Sequence, residues 1–204
     1  MDSFLPQTLA GIPSLEYIQQ CIIGIVLGMA LNTVAIFASK GTSWGKVEYL
    51  PQEWVIYLFC LIYQSILFPS LLFLSVSQYS SIYDHCTSSW NECDEKDFCY
   101  MRFTSIFLIS YLSKDLLVSN LLEIVHHVLG IVMVLGFATQ ERGMHGFITG
   151  CILMEGANFF MNMAAMWRFK DTRKLMHLIC VMAMTASHVA SAYLTYLTFI
   201  TKSD

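Results

Sequence analysis

Three ionisable side chains stand at the start of a strongly apolar stretch of the sequence. Glu123, His126 and His127 lie in the run LLEIVHHVLG at positions 121–130. On a helix these residues are spaced i, i+3 and i+4, so they share one face. Ionisable groups within a membrane are costly and either pair in the interior or mark a functional site. The run is therefore the first candidate for chemistry.

Three kinds of chemistry fit the histidine pair. In the first, the imidazoles only hydrogen-bond to Asp115 or to a backbone carbonyl in the bundle interior. In the second, Glu-x-x-His binds metal, as in di-iron bundles, but those bundles need the motif twice and it occurs once here. In the third, an imidazole acts as acid, base or nucleophile while Asp115 orients its ring. The ligand count argues against metal, so no metal site is predicted.

The other polar positions include a stripe of three residues, one lysine and four histidines. Glu155, Asn158 and Asn162 are spaced i, i+3 and i+7 and form a stripe that either joins helices through hydrogen bonds or lines a cavity. Lys114 is expected to snorkel to the membrane surface or to pair with Asp115. The four remaining histidines are interpreted as scattered residues with no common site: His85, His145, His177 and His188.

The composition is that of a membrane protein. The chain has 204 residues, of which 56% are hydrophobic and 13% are charged, against roughly a quarter charged in soluble domains. Its apolar residues form blocks of about 20, the length of helix that crosses a bilayer. The net charge is -4 and there is no basic tract, so nucleic acid is not expected as a partner.

The blocks predict an all-α, polytopic membrane protein with six transmembrane helices around a central cavity. Residues 1–17 form a short N-terminal tail, 18–200 the membrane domain and 201–204 a C-terminal tail. The tail before the first block lacks Lys and Arg, so a retained helix is expected there rather than a cleaved signal. The six predicted spans are residues 18–38, 54–75, 103–122, 123–139, 147–166 and 175–200. Pro69 is expected to kink the second.

The polar loops suggest an orientation. Residues 167–174 form the strongest basic cluster, which places that loop in the cytosol and both termini in the lumen. The acidic loop at 77–102 would then be luminal, and it carries Cys86, Cys93 and Cys99. Their spacing lacks the paired C-x-x-C of a zinc site, so one disulfide and one spare thiol are expected.

Taken together, the polar positions resemble those of the TLC-domain family, to which the ceramide synthases belong. The resemblance covers nearly the whole chain and rests on Tyr111, Asp115, His126, His127, Glu155, Asn162 and Arg168. In ceramide synthases the two histidines, matched by His126 and His127, are implicated in moving an acyl chain from acyl-CoA to a sphingoid-base amine. The family's outer motif is missing: Gly130 stands near its Thr position, and only Glu155 stands where acidic residues cluster.

The resemblance implies a multi-pass protein of the endoplasmic reticulum or another endomembrane. Its expected role is in lipid homeostasis: it would handle or sense lipids, sphingolipids among them, or assist lipid-linked trafficking. The alternative is an acyl-CoA-dependent lipid N-acyltransferase in which His126 and His127 act with Asp115. Glu123, Glu155, Asn158 and Asn162 would line the lipid cavity. The expected partners are membrane lipids, and acyl-CoA as co-substrate in the enzyme alternative; no other cofactor is predicted. The oligomeric state stays open, with a homo-oligomer among the alternatives.

Overall fold

The computed structural model describes residues 15–42, 54–89, 99–114, 116, 121–137, 143–167 and 170–200. Most of these residues are helical and none of them lies in a β-strand, which confirms the all-α class. The helices are α1 (Leu15–Ser39), α2 (Trp54–Ile62), α3 (Phe68–Ser77), α4 (Ile82–Thr87), α5 (Tyr100–Lys114), α6 (Leu121–Phe137), α7 (Met144–Met166) and α8 (Arg173–Ile200). A π-helical turn (Tyr63–Leu67) joins α2 to α3, and a 3-10 turn (Lys170–Thr172) precedes α8.

Within the described ranges, three helices are long and apolar enough to cross a membrane: Leu15–Ser39, Trp54–Ser77 and Arg173–Leu197. The helix Leu121–Phe137 is also apolar but shorter. These lengths suit an integral membrane protein, as predicted. Six membrane crossings around a central cavity stay a prediction, as do the orientation and the oligomeric state.

Helix α1 packs along α5 through a seam of small and polar residues. Its buried positions recur at intervals of three or four and include Tyr17, Cys21, Gly24, Gly28 and Asn32. A Cβ atom at Gly28 would lie 2.3 Å from the carbonyl oxygen of Ser110 on α5, so only glycine permits this approach. Small residues allow helix backbones to come close where van der Waals packing drives association.

The same seam contacts the end of α5. The side-chain amide of Asn32 donates to the carbonyl oxygen of Lys114 at 2.8 Å. That carbonyl belongs to the last turn of α5, where helix carbonyls lack an intrahelical donor. The third span was predicted to continue to residue 122, and this is wrong, because α5 ends at Lys114 and α6 begins at Leu121. Lys114 therefore lies at a helix end rather than in the middle of a span.

Pro69 follows a π-turn in the helix that contains it. Proline lacks an N–H, and its ring clashes with the carbonyl of the residue four positions earlier, here Ser65. Over Tyr63–Leu67 the backbone widens, and the N–H of Phe68 donates to the carbonyl of Tyr63, five residues before it. π-turns recur at functional positions in helices. In this one, Gln64 is buried.

Helices α7 and α8 form the most extended helix pair. They approach closely where a Cβ at Gly150 would lie 2.5 Å from the Oγ of Ser191. Away from α7, the outer face of α8 exposes apolar side chains such as Leu178, Val181 and Val189. Such a surface suits contact with lipid.

Helix α4 belongs to the polar loop. Ser81 caps it by accepting a hydrogen bond from the backbone N–H of Asp84 at 3.0 Å, which satisfies one free donor of the first turn. Cys99 is disulfide-bonded, and Cys86 is a free, buried thiol. Both residues agree with the prediction of one disulfide and one spare thiol in this loop. Cys93, Asp115 and Arg168 lie outside the described residues.

Candidate functional site

A chain of buried hydrogen bonds runs through the interior and ends on Glu155. The amide nitrogen of Asn162 on α7 donates to Oε1 of Gln64 at 3.0 Å. Gln64 in turn donates through Nε2 to the hydroxyl of Tyr111 on α5 at 2.8 Å. Because that hydroxyl already accepts from Gln64, its own proton is directed to Glu155, with which Tyr111 also hydrogen-bonds. Asn158 donates to Oε2 of Glu155 at 3.0 Å.

The network therefore surrounds the Glu155 carboxyl group, which accepts directly from Asn158. Glu155 is only 8% exposed, and Gln64 and Tyr111 are buried as well. Buried polar groups are normally hydrogen-bonded, and a buried carboxylate also needs a compensating positive charge. The network meets the first requirement with side chains from the π-turn, α5 and α7.

Lys114 is a buried basic residue near this network. Its side chain is 4% exposed, and Nζ lies 4.6 Å from the centre of the Tyr111 ring, a cation–π distance. Nζ also donates to the thiol sulfur of Cys60 at 3.3 Å. An electrostatic interaction joins Lys114 to Glu155. The expected snorkelling is wrong, because the Lys114 amine is buried; the alternative, pairing with Asp115, lies outside the described residues.

The histidine pair lies at the edge of this site. The rings of His126 and His127 are 5.6 Å apart and tilted by 53°, and His126 is exposed while His127 and Glu123 are half-buried. Helix α6 as a whole is lightly packed, with Ile131 and Val134 as its buried residues. His126 interacts electrostatically with Glu155, so the structure brings one of the paired histidines toward the predicted acidic residue.

Four members of the interior network were not among the predicted site residues: Cys60, Gln64, Tyr111 and Lys114. Tyr111 entered only through the family resemblance. The available signal was a single polar side chain inside an apolar segment, such as Gln64 at the middle of the second span. Since such groups are costly in a membrane, their presence alone points to an interior position.

An apolar crevice adjoins the network. Its volume is about 310 Å³, at the lower end for a ligand pocket. It lies between α3, α7 and α8, and its walls include Phe68, Leu72, Ile152, Phe160 and Ala183. None of the polar residues predicted to line a cavity borders it. Gln64 does, so this one residue belongs both to the crevice wall and to the hydrogen-bond network.

A second polar cluster joins α4 to the start of α7. The rings of His85 and His145 stack with centres 5.2 Å apart and planes inclined by 22°. The interpretation of these histidines as scattered is therefore wrong for this pair. They are 60 residues apart in sequence, and only the packing of α4 on α7 brings them together.

Metal binding receives no support from the side chains in the described ranges, which contain no group of three or more His, Cys, Asp or Glu residues arranged to hold an ion. The interior site offers a carboxyl group, an amine, three side-chain amides and a phenol. These groups can bind a polar ligand or move a proton. Comparisons with protein-family models, curated proteins and solved structures find no match to this chain.

Proposed function

We propose that this chain is a multi-pass membrane protein of lipid homeostasis that binds a membrane lipid beside the Glu155 network. The observation that carries the proposal is that Gln64 belongs both to the hydrogen-bond network and to the crevice wall. Its amide hydrogen-bonds to Tyr111 and Asn162, and the same side chain borders the apolar crevice. A ligand that reaches both regions must be polar at one end and apolar along its length, which is the chemistry of a lipid.

The surroundings of the crevice support this ligand class. Two of its walls, α3 and α8, belong to the helices that are long and apolar enough to cross a membrane. A crevice between such helices adjoins the hydrocarbon from which a lipid chain would enter. The resemblance to TLC-domain proteins points to the same ligands, with the endoplasmic reticulum or a related endomembrane as the expected location.

Gly156 offers a direct test of the crevice. It borders the crevice, and a Cβ built on it meets no other atom within 4 Å. Gly156→Leu should therefore fill the crevice without disturbing the core. Gly136→Leu on α6 is the matched control, because a Cβ there also meets nothing within 4 Å and Gly136 is not a crevice residue.

The experiment uses purified full-length protein and a phospholipid with a photoreactive acyl chain. A lipid chain that buries three or four methylene groups in the crevice gains about 2–3 kcal/mol. The leucine side chain of Gly156→Leu would occupy that space, so crosslinking should fall roughly tenfold or more. Crosslinked peptides of the wild type should map to the α3 and α7 walls. Equal labelling of the wild type and both variants would show that the crevice holds no lipid chain.

A second candidate function is lipid N-acyl transfer from acyl-CoA. The observation in its favour is that His126 lies close enough to Glu155 for the two side chains to interact electrostatically. Purified protein incubated with labelled acyl-CoAs and amine acceptors should then give product, and His126→Ala or His127→Ala should remove it. The exposed His188 provides the control variant, His188→Ala, which should retain activity. Absence of product across chain lengths would eliminate the enzyme function.

A further inference from the structure

The described wall of the apolar crevice is uncharged. Among the described residues that line it, none has an ionisable side chain, and Gln64 and Ser187 are the polar ones. Glu155 and Lys114, the ionisable residues of the interior network, do not border it. A phosphate or an ammonium group buried against this wall would lack a counter-charge, which is costly in apolar surroundings. The part of a ligand that enters the crevice is therefore uncharged.

Gln64 has hydrogen-bonding capacity that the protein does not use. A side-chain amide offers two N–H donors and an oxygen with two lone pairs. In the part of the chain that the structure describes, one N–H of Gln64 donates to the Tyr111 hydroxyl at 2.8 Å, and its oxygen accepts from Asn162 at 3.0 Å. One N–H and one lone pair remain. Because Gln64 is only 3% exposed, and buried polar groups without partners destabilise a fold, these two capacities suit a bound ligand.

Ser187 adds an acceptor to the crevice wall. Its hydroxyl donates to the Met184 carbonyl on its own helix at 2.9 Å, so toward a ligand its oxygen can only accept. A phosphate or ester oxygen would use only the spare donor of Gln64, and an ammonium group would use only acceptors. A hydroxyl group both donates and accepts, so it meets the spare donor and the spare acceptor of Gln64 together.

The size of the crevice limits the apolar part of the ligand. Its volume of about 310 Å³ is at the lower end of the range of ligand pockets, which is about 300–1,000 Å³. Its walls combine aromatic and aliphatic side chains with small residues such as Gly156 and Ala183. This space suits one hydrocarbon chain or ring system rather than the paired chains of a phospholipid.

We infer that the crevice binds an uncharged lipid with one apolar body and a terminal hydroxyl group, which hydrogen-bonds to the Gln64 amide in both directions. This inference rests on the proposed function, because it takes the crevice to hold a lipid, and it adds the chemical class of that lipid. Long-chain alcohols, monoacylglycerols and sterols share this chemistry.

Two photoreactive probes test the inference on purified full-length protein in detergent. One is a long-chain primary alcohol, and the other is its methyl ether, which keeps the oxygen as an acceptor but cannot donate. The alcohol should label the α3 and α7 walls roughly tenfold more strongly than the ether, which corresponds to about 1.4 kcal/mol. Equal labelling by the two probes would overturn the inference, since the wall would then not recognise a hydroxyl group.

A pair of matched variants assigns the recognition to Gln64. Gln64→Leu removes the amide and should reduce labelling by the alcohol to that by the ether. Gln20→Leu is the control, because Gln20 donates to Glu16 on α1 at 2.9 Å and does not border the crevice. It should keep the tenfold preference for the alcohol. A Gln64→Leu protein that keeps the same preference would contradict the assignment.

Unlabelled competitors decide the question on wild-type protein if Gln64→Leu does not fold. A sterol, a monoacylglycerol and a long-chain alcohol separate the sources of the hydroxyl group, and at least one should displace the alcohol probe roughly tenfold better than phosphatidylcholine or a fatty-acid anion. Equal displacement by either charged lipid would overturn the inference. If the photoreactive phospholipid labels the crevice and the alcohol does not, the proposed function stands and this inference fails. If neither probe labels the crevice, both fail.

Discussion

The close approach of α1 to α5 at Gly28 gives a quantitative prediction about the fold. In Gly28→Ala the new Cβ would lie 2.3 Å from the carbonyl oxygen of Ser110 and 2.8 Å from its Oγ. Ordinary contacts between heavy atoms are about 3.5 Å, so the two helices must separate by roughly 1 Å. The obstructing atom is backbone and cannot rotate away, so the helices themselves must move.

Two interhelical hydrogen bonds depend on that separation. They are the 2.8 Å bonds between Asn32 and the Lys114 carbonyl and between Tyr17 and Ser105. Overpacking costs about 1–3 kcal/mol, each lost hydrogen bond about 1 kcal/mol, and the better helix propensity of alanine returns about 1 kcal/mol. The free energy of unfolding should therefore fall by about 2–4 kcal/mol, which lowers the Tm by roughly 5–15 °C for a chain of this size.

Thermal unfolding in detergent, followed by size-exclusion chromatography of heated samples, measures this change. Gly136→Ala is the matched control, since a Cβ at that position meets nothing within 4 Å. Its Tm should equal that of the wild type or exceed it slightly, because alanine favours the helix. If Gly28→Ala and Gly136→Ala unfold at the same temperature, the inferred contact between α1 and Ser110 is incorrect.

Three further outcomes are expected. Glu155→Ala should cost about 1–3 kcal/mol in thermal unfolding, because it leaves the Asn158 amide without its acceptor, and Glu155→Gln should recover much of the loss. Cys86 should resist alkylation in the folded protein, because burial raises the pKa of its thiol to about 11. Cys99 should react only after reduction, because it is disulfide-bonded. Mass spectrometry of the labelled peptides measures both. Hydrogen bonds from Ser80 and Ser81 hold the pKa of Asp84 below its usual range. The ionised carboxylate therefore stabilises α4 at any pH above the ordinary pKa of an aspartate. This stability is lost as the pH falls through the lowered pKa of Asp84. Ser80→Ala should raise that pKa in a carboxyl NMR titration, while Ser77→Ala, whose hydroxyl donates to the Leu74 carbonyl, should leave it unchanged.

The sequence predicted those features of the fold that depend on local patterns. Blocks of apolar residues located the helices to within a few positions, except at the end of the third. The spacing of Glu155, Asn158 and Asn162 placed them on one stripe of α7, and all three are in the observed network. Helical periodicity is a local property, so these predictions did not require knowledge of which helices pack together.

The partners of that stripe could not be predicted in the same way. Gln64 and Lys114 join Glu155 only because the π-turn and α5 face α7, and no local pattern encodes that packing. The stacking of His85 on His145 likewise depends on how α4 docks. The emphasis on His126 and His127 came from their adjacency in sequence, yet α6 packs lightly and leaves His126 exposed. Their catalytic role, and that of Asp115, stays a prediction.

The π-turn has a consequence for how this chain tolerates insertions and deletions. A π-turn holds one residue more than the α-helical turn it replaces, while the helices on either side keep their own faces. Deleting Ser65 should thus leave Cys60 and Leu71 facing the core, whereas a deletion elsewhere in Trp54–Ser77 would rotate every later side chain by about 100°. The deletion would, however, aim Gln64 away from Tyr111. The length of this helix in residues, and not only its composition, thus determines whether the crevice and the Glu155 network are connected.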